Sequence, residues 1–94
     1  MCPGPRLPDR GAEGLLLYKA KALRHLRLAT AARDTLTVAL RRKKGRSDDL
    51  LRALRYERAL AYEDLGQKSR ARAEFEKLYA EAPDFEDVAV RLGI

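Results

Sequence analysis

His25 is the sole histidine and Cys2 the sole cysteine of this 94-residue chain. Nucleophilic catalysis of the Ser-His-Asp kind would have to run through His25. Its nearest hydroxyl along the chain is Thr30, and the sequence holds no glycine-rich nucleophile turn. His25 reads instead as an exposed or groove-facing helical histidine. The carboxylate pairs Glu63–Asp64 and Glu86–Asp87 are chain neighbours, and neighbours on a helix point apart rather than sharing a proton. They read as surface charges. One thiol supports neither an intrachain disulfide nor a sulfur-ligated zinc site, so Cys2 reads as unpaired. No phosphate loop, dinucleotide fingerprint or calcium loop is present. These residues lead us to expect no enzyme, no cofactor and no metal.

The other candidate chemistry is electrostatic. The stretch RRKKGRSDD, Arg41 to Asp49, places five cations beside two aspartates. The net charge of +6 is unevenly spread: residues 1–46 hold twelve Lys/Arg against three Asp/Glu, whereas residues 47–94 hold eight against eleven. Such a run is either a phosphate-contacting tract or a junction between helices. Cations favour the negative end of one helix and aspartates the positive start of the next, each worth about 0.3–1 kcal/mol. That order is the one observed, so the junction is the leading reading. No aromatic interleaves the run, so base stacking is not suggested and nucleic-acid binding is expected to be weak at most.

Helices must carry these residues. At 46% hydrophobic and 36% charged, the sequence is globular in type, and its Ala, Leu, Arg and Glu favour helices. No run alternates long enough for a strand. No apolar run approaches the roughly 20 residues of a membrane span. A reducing cytoplasm is the default expectation. Residues 1–12, with three of the four prolines, read as a flexible leader. Helical spacing of Leu16, Tyr18 or Ala20, Leu23 and Leu26 predicts a first helix over 13–28. Thr30 is placed to cap a second, with Ala32, Leu36, Ala39 and Leu40 inward. A third starts near Ser47 or Asp48, carries Leu50, Leu51, Leu54, Ala61, Tyr62 and Leu65, and ends at Gly66. Ser69 is placed to cap a fourth, with Ala71, Phe75, Leu78, Tyr79 and Ala82 inward and Pro83 closing it. Asp84, with Asp87 three residues on, opens a fifth whose contacts are Val88, Leu92 and Ile94.

Laying 13–43 over 52–82, a shift of 39, aligns Leu15 with Leu54, Ala20 with Ala59, Ala22 with Ala61, Leu26 with Leu65 and Ala32 with Ala71. Leu36 meets Phe75, Ala39 meets Leu78 and Leu40 meets Tyr79. The chain is therefore a repeated helix pair. The stretch ALAYEDLGQKSRARAEFEKLYAEAP, with Ala59, Tyr62, Gly66, Ala71, Phe75 and Pro83 in register, resembles the tetratricopeptide repeat. The first repeat is degenerate, with Arg27 at the glycine position and Lys44 at the proline. Arg55 and Arg58 stand where that family usually has bulky apolar residues.

The resemblance implies an all-α solenoid fragment: repeat one over 13–46, repeat two over 47–83 and a capping segment over 84–94. It also implies a non-enzymatic module that receives a peptide or partner protein in a groove. By position the groove is lined by Leu17, Lys21, Arg24 and His25 from the first repeat. Tyr56, Leu60, Glu63 and Asp64 continue it from the second. The lysine and asparagine pattern that clamps a C-terminal carboxylate in some family members is missing, so that ligand is not expected. Self-association through Leu15–Leu17 is a further expectation. The alternatives are a nucleic-acid-associated protein using Arg41–Arg46 and the basic first hairpin, or the C-terminal part of a multidomain regulator.

Overall fold

The computed structural model of the protein describes residues 9–94 except Lys43, with side chains from Leu15 onward. Five helices follow in order: α1 (Asp9–His25), α2 (Ala29–Arg41), α3 (Asp48–Asp64), α4 (Lys68–Glu81) and α5 (Val88–Leu92). No strand occurs among the described residues. Consecutive helices pack side by side across short turns, so α1/α2 and α3/α4 are antiparallel hairpins and α5 closes the second. α1 also packs on α3, past the helix between them. The predicted leader lies outside the described residues over 1–8, and its last four positions belong to α1.

The start of α3 is where the sequence placed it. Ser47 is the N-cap, and its hydroxyl accepts from Leu50 N at 3.1 Å. Thr30 and Ser69 do not cap their helices. Each lies inside the first turn, behind the N-cap residues Leu28 and Gln67, and neither of those makes a side-chain cap. The preceding chain does that orienting work instead. Leu28 N bonds to Leu23 O at 2.9 Å and Arg27 N to Arg24 O at 3.0 Å; Gln67 N bonds to Tyr62 O at 2.8 Å and Gly66 N to Glu63 O at 2.9 Å. These are the paired bonds of a Schellman turn, made twice at equivalent positions. The turn needs a left-handed residue, and Arg27 (φ 65°) and Gly66 (φ 76°) supply it 39 positions apart.

α5 is shorter than expected. It starts at Val88 rather than Asp84, Asp87 makes no side-chain cap, and Ile94 is exposed. The chain between Ala82 and Val88 is held by Phe85 N to Ala82 O (3.0 Å) and Val88 N to Phe85 O (3.2 Å).

Two apolar clusters form the core. One gathers Ala20, Leu36, Ala39, Leu40 and Leu54, with Leu16, Leu17, Leu50 and Leu51 against it. The other gathers Ala59, Leu60, Tyr62, Ala71, Phe75, Leu78, Val88 and Leu92, with Tyr56, Tyr79 and Phe85 around it. α3 contributes to both. Residues matched across the shift of 39 differ in cover. Leu54 and Ala61 are fully buried, whereas Leu15 and Ala22 are exposed, as is Leu26 beside half-buried Leu65. The cause is that α2 and α1 flank α3, while no described helix covers that side of α1. Of the alternatives Tyr18 and Ala20, Ala20 is the buried one and Tyr18 faces outward at 74% exposure; Leu26, expected inside, is also outward at 67%. The Leu15–Leu17 face is divided too, because Leu16 and Leu17 pack on the first cluster and only Leu15 is exposed.

The repeated turn makes a directional test. Left-handed backbone costs an ordinary side chain about 1–2 kcal/mol, and glycine returns part of that gain as unfolded-chain entropy. Arg27→Gly should stabilise by up to about 1 kcal/mol. Gly66→Ala should destabilise by about 1 kcal/mol through backbone strain, since a Cβ there would meet nothing within 4 Å. Thermal melts should separate the two by several degrees in opposite directions. Phe75 is 2% exposed at the centre of the second cluster, so Phe75→Ala should cost about 3–5 kcal/mol in urea denaturation.

Candidate functional site

α3 is heavily charged and packs against α1, α2 and α4, so its charges decide what each of its faces does. Helical spacing turns Tyr56, Leu60, Glu63 and Asp64 to one side, toward α1 and α5, and Arg55 and Arg58 to the opposite side, toward α2 and α4.

On the first side the expected groove residues are brought together, but several are already engaged. Arg24 Nε donates to Glu57 Oε1 at 3.1 Å, and its Nη1 to Asp64 Oδ2 at 3.1 Å. Glu57 is only 5% exposed, so this pairing answers a buried carboxylate as well as bridging α1 to α3. Arg24 and Asp64 were expected as separate lining residues, one from each repeat. They are bonded partners. Glu63 is likewise taken, by Arg91 Nη1 at 2.9 Å. Leu60 is buried and forms floor rather than wall, Leu17 is half-buried, and Lys21 and His25 are exposed.

Tyr56 is a joint to α5. Its ring meets Phe75 (centroids 5.9 Å, 64° between planes) and Phe85 (6.0 Å, 68°) edge-on. Its hydroxyl donates to Asp87 Oδ1 and accepts from Arg91 Nε at 3.3 Å. Arg91 Nε also reaches Asp87 Oδ1 at 3.1 Å, and its guanidinium stands 5.7 Å from the Phe75 ring centroid. Burial, then the hydrogen bond to Asp87, raises the Tyr56 hydroxyl above the usual tyrosine range. The hydrogen bond from Tyr56 holds the Asp87 carboxyl below the usual aspartate range. Removing the Tyr56 side chain would therefore loosen α5 as well as alter the groove.

The opposite side of α3 carries what sequence reasoning missed. Arg58 Nη2 donates to Glu74 Oε2 at 2.5 Å, and its Nη1 to Thr37 Oγ1 at 3.4 Å. Arg55 Nε lies 3.3 Å from Glu74 Oε1, and its Nη1 lies 3.5 Å from Glu81 Oε2. Arg52 Nε adds a contact to Glu81 Oε1 at 3.5 Å. Glu74 is 8% exposed, a buried carboxylate between two arginines. The available signal was the spacing: Arg52, Arg55 and Arg58 recur every three residues on α3, and Glu74 and Glu81 are two turns apart on α4.

The Arg41–Asp49 stretch begins at the last residue of α2 and ends in the first turn of α3. Arg46 donates from Nη1 to Ala39 O, answering a carbonyl in the last turn of α2. Asp48 and Asp49 occupy the first turn of α3. Arg41, Arg42 and Lys44 are exposed, and Lys43 lies outside the described residues. Among the described residues no helix is long and apolar enough to cross a membrane, and no group of three or more His, Cys, Asp or Glu could hold a metal ion. Cys2 lies outside them.

Compared with protein-family models, curated proteins and solved structures, the chain has no match.

The Tyr56–Asp87 joint has two pH limits with opposite signs. Asp87 has a depressed folded pKa, so its contribution is present above its ordinary 3.8 and is lost as pH falls through the folded value. Tyr56 has a raised folded pKa, so its contribution is present below its ordinary 10.0 and is lost as pH rises through the folded value. The protection of the α5 amides, their exchange relative to the intrinsic rate at each pH, should therefore be greatest between those limits and fall on both sides. Tyr56→Phe keeps the ring contacts and removes the hydroxyl. It should flatten both limbs at a stability cost of about 1 kcal/mol.

Proposed function

We propose that this chain is a non-enzymatic interaction module, similar to tetratricopeptide repeats, that receives a peptide or partner-protein segment on the face shared by α1, α3 and α5. The observation that carries this reading is the twice-made turn. Arg27 and Gly66 occupy the same left-handed position in two helix hairpins, and α1 packs on α3 beyond its own hairpin partner. Stacked hairpins of this kind present one helix from each to a common surface.

The ion pairs refine the mode of binding. Arg24 with Glu57 and Asp64 locks one edge of that surface, and Arg91 with Glu63 and Asp87 locks the other. A surface held this way needs little reorganisation to bind, which lowers the ordering cost of association. The groups left for a ligand are the Lys21 ammonium and the exposed His25 imidazole, next to half-buried Leu17. A segment carrying acidic residues and an apolar anchor suits them. The nucleic-acid alternative rests on exposed Arg41, Arg42 and Lys44, a short track with Arg46 already engaged.

The test is a peptide selected from a random display library against the wild-type protein, measured on surface variants. Lys21→Glu with His25→Glu should weaken binding by tenfold or more, with the circular-dichroism melt unchanged because both side chains are exposed. Replacing Arg72 and Glu76 with alanine removes an exposed pair on α4 held at 3.3 Å, and should leave affinity unchanged. The reverse pattern would place the binding face on α4 and sink the assignment.

A further inference from the structure

A cleft of about 330 Å³ opens between α2, α3 and α4, lined by Thr37, Leu40, Arg41, Arg55, Arg58 and Lys77. Three helices thus bring four cations and a hydroxyl to one place. The charges do not cancel. Arg55 and Arg58 share the single buried carboxylate of Glu74, and Glu81 is shared between Arg55 and Arg52. Neither Arg41 nor Lys77 has an ion-pair partner among the described residues. Five cations (Arg41, Arg52, Arg55, Arg58 and Lys77) therefore meet two carboxylates from the neighbouring helices. Among the described residues the one other carboxylate contact is Asp49, 3.8 Å from Arg52 and almost fully exposed. At least two positive charges remain. In addition, Arg52 Nε, Arg55 Nε and Arg58 Nε are buried without a hydrogen-bond acceptor, as is Glu74 Oε1 without a donor, so the cluster's hydrogen bonding is incomplete.

We infer that this cleft is a binding site for a phosphomonoester dianion. Four features select that chemistry. The surplus of charge matches two negative charges better than the one of a carboxylate or a phosphodiester. Guanidinium groups fit phosphate oxygens in a bidentate fork, and Lys77 adds a point charge. The Thr37 hydroxyl, 3.4 Å from Arg58 Nη1, offers a further donor. The cations converge on one cavity instead of tracking along a line, as a nucleic-acid backbone would require. Arg55 and Arg58 hold their positions because Glu74 anchors both, so the site is organised before any ligand arrives. This side of α3 faces away from Leu60 and Asp64, and the inference does not rest on the peptide-groove reading.

Two sources carry this chemistry, a phosphorylated side chain of a partner and the free phosphate ion. The test is an amide NMR titration at constant ionic strength, using inorganic phosphate, a short phosphoserine peptide, its unphosphorylated parent, acetate and a single-stranded oligonucleotide. The expected result is saturable shifts at Thr37, Arg41, Arg58 and Lys77 with the two phosphomonoesters, and none with acetate or the parent peptide. A peptide bound more tightly than the ion identifies the phosphorylated side chain as the source. Equal affinity identifies the free ion. Arg41→Gln with Lys77→Gln removes two exposed cations from the cleft while sparing the buried pairs, and should weaken binding about tenfold or more. Arg42→Gln with Lys44→Gln removes the same charge outside the cleft and should leave affinity at the wild-type value. Equal losses in the two double variants overturn the site, because general charge attraction then explains the binding. Shifts that never saturate overturn it too, as does an oligonucleotide that binds more tightly than either phosphomonoester.

Discussion

The structure depends on how α3 carries charge into the middle of the fold. A helix flanked by α1, α2 and α4 would ordinarily be apolar on every covered side. α3 instead brings Arg55, Glu57 and Arg58 into cover, and each is answered from a neighbouring helix: Glu57 by Arg24 of α1, Arg55 and Arg58 by Glu74 of α4. Leaving one such charge unanswered costs about 3–5 kcal/mol, a large part of what a small domain has in hand. The pairs therefore constrain which helix lies beside which, and at what height. Apolar clusters alone would tolerate more sliding.

That constraint divides the molecule by side. Toward α1 and α5 the charges of α3 are neutralised by direct partners, which leaves the Lys21 ammonium and the His25 imidazole exposed on that surface. Toward α2 and α4 they are only partly neutralised, since Glu74 is shared and Arg41 and Lys77 add to the surplus. One surface is thus braced and nearly balanced, the other braced and positive. The difference arises from the same helix, through Glu57 and the arginines one and two positions away from it in the chain.

α5 shows how much a short element owes to side chains. Five residues of helix are too few to hold themselves. Val88 and Leu92 insert into the second cluster, and the Tyr56 hydroxyl, Asp87 and Arg91 fasten the segment to α3. On α1, no described helix covers the corresponding side, and Leu15, Tyr18 and Leu26 are exposed although their spacing is that of a buried stripe.

The sequence by itself determined the helical class, the helix pairs, the repeat at a shift of 39 and the inward faces of α2 and α4. Those follow from local rules: apolar spacing near 3.6 residues, a serine before α3, glycine after it and proline after α4. It also placed Phe75 and Ala20, Ala59 and Ala71 in the core by their register. Only the tertiary structure decided which charges pair, because an arginine reaches its partner across a distance set by helix approach, not by position in the chain. Arg24 with Asp64, and Arg58 with Glu74, could not be read from residues 40 and 16 positions apart. The turn before α2 was hidden for a related reason. Arg27 adopts the conformation that glycine takes cheaply, and the bonds from Arg27 and Leu28 back into α1 hold it there against its own preference.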